Sequence, residues 1–249
     1  MSIGRSIPPQ RPIADLLFSQ GFGTRRVCAG LIEQGFVTVN GLACDDPAAT
    51  FTSGGLTFTV QKQSWVYHDK AYLMLHKPAG TECSQKPSTW PSIYTLLPAP
   101  LRQRPVKGSQ PGVQAVGRLD QDTTGLLLLS DDGVFLHRMT SPKHHVPKVY
   151  ELTTADALDE SAVSKLLSGV VLHDDPKPVK AAACQLTGSH QMQLTLTEGK
   201  YHQVKRMLAA VGHLVVGLHR SQIGDMPLPA DLAPGQWRWL SADDLALLR

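Results

Sequence analysis

The stretch GRLDQDTTGLLLLSDDG, residues 117–133, sets one arginine and one aspartate at the mouth of an apolar run and closes on a second acidic turn. Four consecutive leucines at 126–129 read as a buried strand, and the Thr-Thr-Gly before them reads as a turn that feeds the chain into a sheet. Asp131 and Asp132 then read as a polar turn and the start of a helix. Taken alone, Asp120 has two readings. A carboxylate before a strand commonly accepts backbone N–H bonds in an Asx turn. One kept ionised by a nearby cation, here Arg118 two positions earlier, suits a nucleophile or a base. Residues elsewhere in the chain decide between them.

The length of 249 residues allows one large domain or a small module joined to a larger one. A hydrophobic content of 42% with 18% charged residues belongs to a globular protein and excludes disordered or fibrous classes. No run of eighteen apolar residues offers a membrane span, and the opening MSIGRSIPPQRP lacks the apolar centre of an export signal, so the cytoplasm is the expected compartment. The cysteines, Cys28, Cys44, Cys83 and Cys184, are too scattered for a zinc knuckle and read as reduced thiols. His144 and His145 are adjacent with no third ligand at helical spacing, so no metal is expected. The net charge is only +3, but residues 61–118 carry eight Lys or Arg against two acids, a cluster suited to a phosphate backbone or to a solvated face.

The first sixty residues read as a compact helix-helix-strand unit. A helix is expected over 13–20 and a second after Thr24 as N-cap, with Val27, Leu31 and Ile32 on one face and Gly35 ending it. A strand over 36–39 follows, Asn40-Gly41 suits a type I′ turn, and GGLTFTV supplies another strand through residue 60. Residues 1–62 thus form a small module, structured from about 11, and polar residues 63–70 read as a linker to a larger domain over 71–249. There, strands are expected at 72–76, 126–130, 149–153, 180–186, 192–197 and 214–219, and helices at 159–168, 202–211 and 241–248. Gly169 and Gly212 sit where the first two helices should stop, and Ser241 with Asp244 makes a near capping box. Strands in runs with isolated helices describe an α+β fold with a mostly antiparallel sheet.

Two stretches supply partners for Asp120. In KVYEL, Lys148 and Tyr150 stand at i and i+2, so both project from one face of a strand. The tyrosine suits cross-strand packing or stacking on a flat base. EGKYHQVKRM opens a helix with Lys200, Lys205 and Arg206 where acids are the rule, which points to an anionic target such as a phosphate or Asp120 itself.

These three stretches, in this order, resemble the ribosomal-RNA type of pseudouridine synthases, and HKPAG, with Lys77, Pro78 and Gly80, looks like that family's first motif. The segment 11–60, with Arg25 and Arg26 opening its second helix and G-x-V-x-V-N-G after it, resembles the S4-type RNA-binding domain. The resemblance implies an S4-like module followed by a catalytic domain on a mixed, mostly antiparallel sheet with flanking helices. It implies that Asp120 attacks the target nucleoside, that Tyr150 stacks on the base and helps remove the C5 proton, and that Lys205 pairs with the aspartate. Many relatives carry arginine at that last place, and lysine keeps the charge without the two-pronged geometry. Arg118 corresponds to an arginine that holds RNA from which the base has been extruded, with Lys148 and Arg206 beside the substrate. Leu119 and Val204 wall the base pocket or serve as plain core.

Isomerisation of uridine needs no redox cofactor, nucleotide or metal, and no phosphate-cradling or dinucleotide motif occurs. No cofactor is therefore expected. Arg25, Arg26, Arg102, Arg104, Lys107 and Lys143 are the expected phosphate contacts. The S4-like module with GKYHQVKRMLAAVGH and VVGLHRSQIG looks most like members acting on small-subunit (16S) RNA. The expected partner is ribosomal RNA in an assembling small subunit, with no membrane association and a monomeric enzyme. Two alternatives stay open, a large-subunit (23S) uridine as target and a non-catalytic RNA-binding or assembly protein. A third, a glycosidase, would want two acids flanking one bond, for which Asp122 and Asp131 are available but the basic surroundings oppose it.

Overall fold

The computed structural model describes residues 10–108, 110–173 and 175–248. The nine residues at the N-terminus, part of the opening read for an export signal, lie outside the described residues. Among the described residues no helix is long and apolar enough to cross a membrane. The chain divides into two compact units, one running up to Ala71 and including Leu97–Gln114, the other comprising Tyr72–Leu96 and the chain from Ala115 onward.

The first unit begins with a short strand, Gln10–Pro12, paired antiparallel with Thr50–Thr52. It continues into the helix Ile13–Gln20, whose Ile13, Leu16, Leu17 and Gln20 recur at helical spacing and are all buried. Thr24 caps the next helix, Arg25–Glu33, by accepting from the Val27 N–H at 3.3 Å. Cys28 and Ile32 carry that helix's buried face, while Val27, expected inside, is 50% exposed. A four-stranded antiparallel sheet follows in the order Leu42–Ala43, Val37–Val39, Thr57–Val60, Gln63–Val66. Asn40 and Gly41 both have positive φ, 49° and 85°, as a type I′ turn requires.

Gln63–Val66 corrects the expectation of a linker over 63–70. Gln61 and Lys62 also adopt positive φ, 49° and 69°, and close a two-residue hairpin with no asparagine or glycine to announce it. The second correction concerns Leu97–Gln114, which belongs with this unit although it interrupts the larger domain in sequence. Its helix Ala99–Gln103 comes so close to Gly21 that a Cβ there would lie 2.1 Å from the Pro100 carbonyl oxygen. Arg104 follows, only 1% exposed, donating to Gln20 Oε1 at 3.0 Å and to the carbonyls of His68 and Asp69 at 2.8 and 3.1 Å. Its expected role as a phosphate contact is thereby corrected: the guanidinium is buried in protein hydrogen bonds.

The second unit is built on a long mixed sheet. Its strand order is Ala183–Gly188, Gln191–Leu196, Lys148–Thr154, Val215–Ile223, Thr124–Ser130, Tyr72–Lys77, Trp237–Trp239. Neighbours are antiparallel except at one joint, where Val215–Ile223 runs parallel to Thr124–Ser130. The expected strand at 180–186 begins later, at Ala183, because 181 and 182 form the approach to it. Helices Glu160–Ser168 and Gln203–Ala210 cover one half through Val163, Leu166, Met207 and Leu208. Gly133–Thr140 covers the other through Phe135 and Met139 against Met74, Leu126 and Leu128. Asp132 is the N-cap of that helix, accepting from the Val134 N–H and from the Tyr72 hydroxyl at 2.7 Å. Ser241 and Asp244 form a full capping box at the helix Ala242–Ala246. The parallel joint matters most, since the catalytic candidates gather around it.

Candidate active site

Asp120 lies in the loop that enters Thr124–Ser130, and three features fix that loop. The Thr123 N–H donates to the Asp120 carbonyl at 3.1 Å, closing a turn, and the Gly80 N–H donates to the Gln121 carbonyl at 2.8 Å. Lys77, fully buried, points its Nζ at the carbonyls of Pro78, Gln121 and Thr123 at 3.0, 3.3 and 2.9 Å. Burial pushes the Lys77 pKa down, and Cys83, Asp122 and Asp120 pull it back in part. HKPAG therefore serves as a staple on the aspartate loop, and Lys77 leaves the cationic surface expected over 61–118. Behind the loop, a Cβ on Gly125 would lie 2.3 Å from the Arg220 carbonyl oxygen, and its φ is +108°. Only glycine lets the parallel strands approach this closely.

Asp120 faces a cavity of about 290 Å³. Arg118, Leu119, Lys148, Tyr150, Val204 and Lys205 line it with the aspartate, so seven of the expected residues meet at one place. Lys148 and Tyr150 share the inward face of Lys148–Thr154, as their spacing requires. Burial, and then the nearby charge of Arg220, hold the Lys148 pKa below the ordinary lysine value. Leu119 and Val204 are 5% and 4% exposed and serve as both wall and core.

Arg206 corrects its expectation. It follows Lys205 on one helix, where adjacent residues diverge by about 100°, and its Nη1 donates to the Tyr201 carbonyl at 3.0 Å rather than lining the cavity. Lys200 does line the cavity, but not from the helix, which starts only at Gln203; the lysine precedes it and pairs with Asp175. Arg26, Arg102, Lys107 and Lys143 are exposed. Arg25 is exposed too, but its Nε donates to Asp15 at 2.8 Å and its guanidinium lies 4.2 Å from the Phe18 ring centroid.

The ion pairs rearrange the expected partnership. Lys205 Nζ is 2.7 Å from both carboxylate oxygens of Asp122 and 3.7 Å from Asp120 Oδ2. Burial raises the Asp122 pKa, but the hydrogen bond and charge of Lys205 outweigh it and the net shift is downward. The nearest partner of Asp120 is His202, whose Nε2 lies 3.0 Å from Oδ1. Sequence reading passed over His202, though it stands one turn before Lys205 in the same motif. It is held in the left-handed region, φ +48°, at the N-cap of Gln203–Ala210, and its ring stacks on Tyr201 at 3.8 Å. Non-glycine residues in that region are strained and concentrate at functional sites.

Arg220 also reaches the cavity. It is 4% exposed, its Nε donates to the Leu126 carbonyl at 2.8 Å, and its Nη2 is buried without a hydrogen-bond partner among the described residues. The buried hydroxyl of Thr123 is in the same state. Unsatisfied polar atoms beside a cavity are costly unless a polar ligand meets them.

Known proteins match this chain in both its N-terminal and its larger part. Residues 71–210 match the family model described as RNA pseudouridylate synthase, and residues 11–55 match the S4 domain. A protein named ribosomal small subunit pseudouridine synthase A from Pasteurella multocida is 39% identical over 224 residues, 90% of this chain and 93% of its own. The protein of the same name from Escherichia coli K12 is 42% identical over 179 residues, 72% of this chain and 74% of its own. A crystal structure titled as a pseudouridylate synthase superposes with a TM-score of 0.67 at 34% identity, covering 96% of this chain and 100% of that one. With its motifs at one cavity and matches of this extent, the chain belongs to the RNA pseudouridylate synthase family, enzymes that isomerise uridine in RNA, and carries an N-terminal S4 domain.

Proposed function

We propose that the protein isomerises one uridine of 16S ribosomal RNA to pseudouridine, with Asp120 as nucleophile on a base taken out of its stack. The observation that carries this reading is the meeting of Asp120, Tyr150, Lys148 and Lys205 at one cavity. The names of the relatives support the small subunit as target. In the reaction the bond from C1′ to N1 breaks, the uracil turns, and C5 bonds to C1′. The proton on C5 leaves and N1 gains one, so the product is an isomer. Attack at C6 of the uracil or at C1′ of the ribose both require the same ionised carboxylate.

His202 and Lys205 hold negative charge on Asp120 in place, and Tyr150 offers a ring to the base with its hydroxyl near the proton to be moved. Extraction of the base costs a few kcal/mol, offset by phosphate contacts from Arg118 and from Arg25, Arg26, Arg102, Lys107 and Lys143. The proposed substrate is RNA in an assembling small subunit in the cytoplasm, and the proposed enzyme is a monomer.

Chemical mapping of pseudouridine in ribosomal RNA from cells with and without the gene tests the target. Loss of one 16S site on deletion is the expected result. An unchanged 16S RNA with a lost 23S site would overturn it.

A further inference from the structure

A second groove, of about 590 Å³, opens beside the cavity and shares Arg118, Asp120 and Lys205 with it. Its far side is the loop that ends at Trp90, an indole 45% exposed to solvent. That loop is not loosely held. The Glu82 carboxylate accepts from the N–H groups of Ser88, Thr89 and Trp90 at 3.1, 3.0 and 2.9 Å, and from the Ser88 hydroxyl at 3.2 Å. The backbone is tied as well, from the Glu82 N–H to the Pro91 carbonyl and from the Ile93 N–H to the Glu82 carbonyl, each at 3.0 Å. The backbone donors from Trp90, Thr89 and Ser88 hold the Glu82 carboxyl at about 2, so the clamp stays ionised throughout the physiological range. The indole passes over Gly80, beyond which lies the bond to Gln121 in the aspartate loop.

A large aromatic fixed in water at the rim of a catalytic groove, with an exposed arginine in the same groove, has the chemistry of a single-stranded nucleic-acid subsite. Bases stack on the ring and phosphates meet the cation. Removing a target base from its stack leaves each flanking base with an uncovered face. We propose that Trp90 is the stacking platform for a nucleobase flanking the target uridine, with Arg118 on the adjoining phosphate. This rests on the reading of the cavity as the site of uridine isomerisation.

The test uses full-length protein and short RNA substrates that differ only in an abasic residue on the 5′ or the 3′ side of the target. Turnover is followed by tritium release from C5-labelled uridine. Trp90→Ala is expected to lower kcat/KM about ten-fold, carried by KM, and Trp90→Phe to retain most of the wild-type value. An abasic residue on one flank should raise the wild-type KM similarly and have no further effect on Trp90→Ala. An unchanged KM in Trp90→Ala, or losses that multiply on both flanks, would overturn the proposal. If wild-type protein released no tritium from any uridine-containing RNA, free or within an assembling small subunit, the reading of the cavity would fall instead. The same abasic comparison, made on RNA dissociation constants, would then judge the platform separately.

Discussion

At the scale of the residue, the aspartate is governed by neighbours that the sequence pairs differently. Lys205 sits closest to Asp122, and the 3.0 Å contact to Asp120 comes from His202. Hydrogen bonds to charged groups contribute about 1.5–3 kcal/mol, so His202→Phe should lower kcat roughly ten- to one-hundred-fold with little change in KM. Single-turnover kinetics on 16S RNA would check this, and an unchanged rate would remove His202 from the site. Lys148 gives a pH prediction. Burial first, and Arg220 second, depress its pKa, so the ammonium loses its proton at a lower pH than an ordinary lysine. If its charge holds the substrate, KM should rise with increasing pH before the usual lysine range of about 10.4 is reached. Lys148→Arg, which keeps its charge there, should flatten that rise; a wild-type KM constant up to that range would argue against the role.

At the scale of the element, Lys77 determines whether the aspartate loop is presented at all. Lys77→Met would leave the carbonyls of Pro78, Gln121 and Thr123 without their donor. A loss of about 1–3 kcal/mol in urea unfolding is expected, with a fall in kcat because the loop carries Asp120. Strands with alternating or continuous apolar residues, and helices with caps such as Thr24, Asp132 and Ser241, were legible because their signals are local. The hairpin at Gln61-Lys62 was not, because its positive φ values are imposed on residues that do not favour them. In the site, KVYEL fixed its own face by the two-residue period of a strand. The partnership of Lys205 depended on where Asp122 fell across the parallel joint, which no local spacing encodes.

At the scale of the whole molecule, the cationic residues sort into those that hold the fold and those left facing water. Arg104 is interior and Arg102 exposed, so the two arginines should respond in opposite ways. Arg104→Met is expected to lower the melting temperature and leave the salt dependence of RNA binding unchanged. Arg102→Ala should leave melting unchanged and reduce the slope of log K against log salt by about 0.7–0.9. Binding titrations at several salt concentrations, alongside thermal melts, would separate the two roles, and the reverse pattern would refute this assignment. In the proposed mechanism all such contacts serve one reaction at Asp120. The most direct test is therefore tritium release from C5-labelled 16S RNA by Asp120→Asn, with RNA affinity measured in parallel. Loss of all release with affinity near wild type is the predicted result; sustained turnover by Asp120→Asn would contradict the assignment of Asp120 as nucleophile.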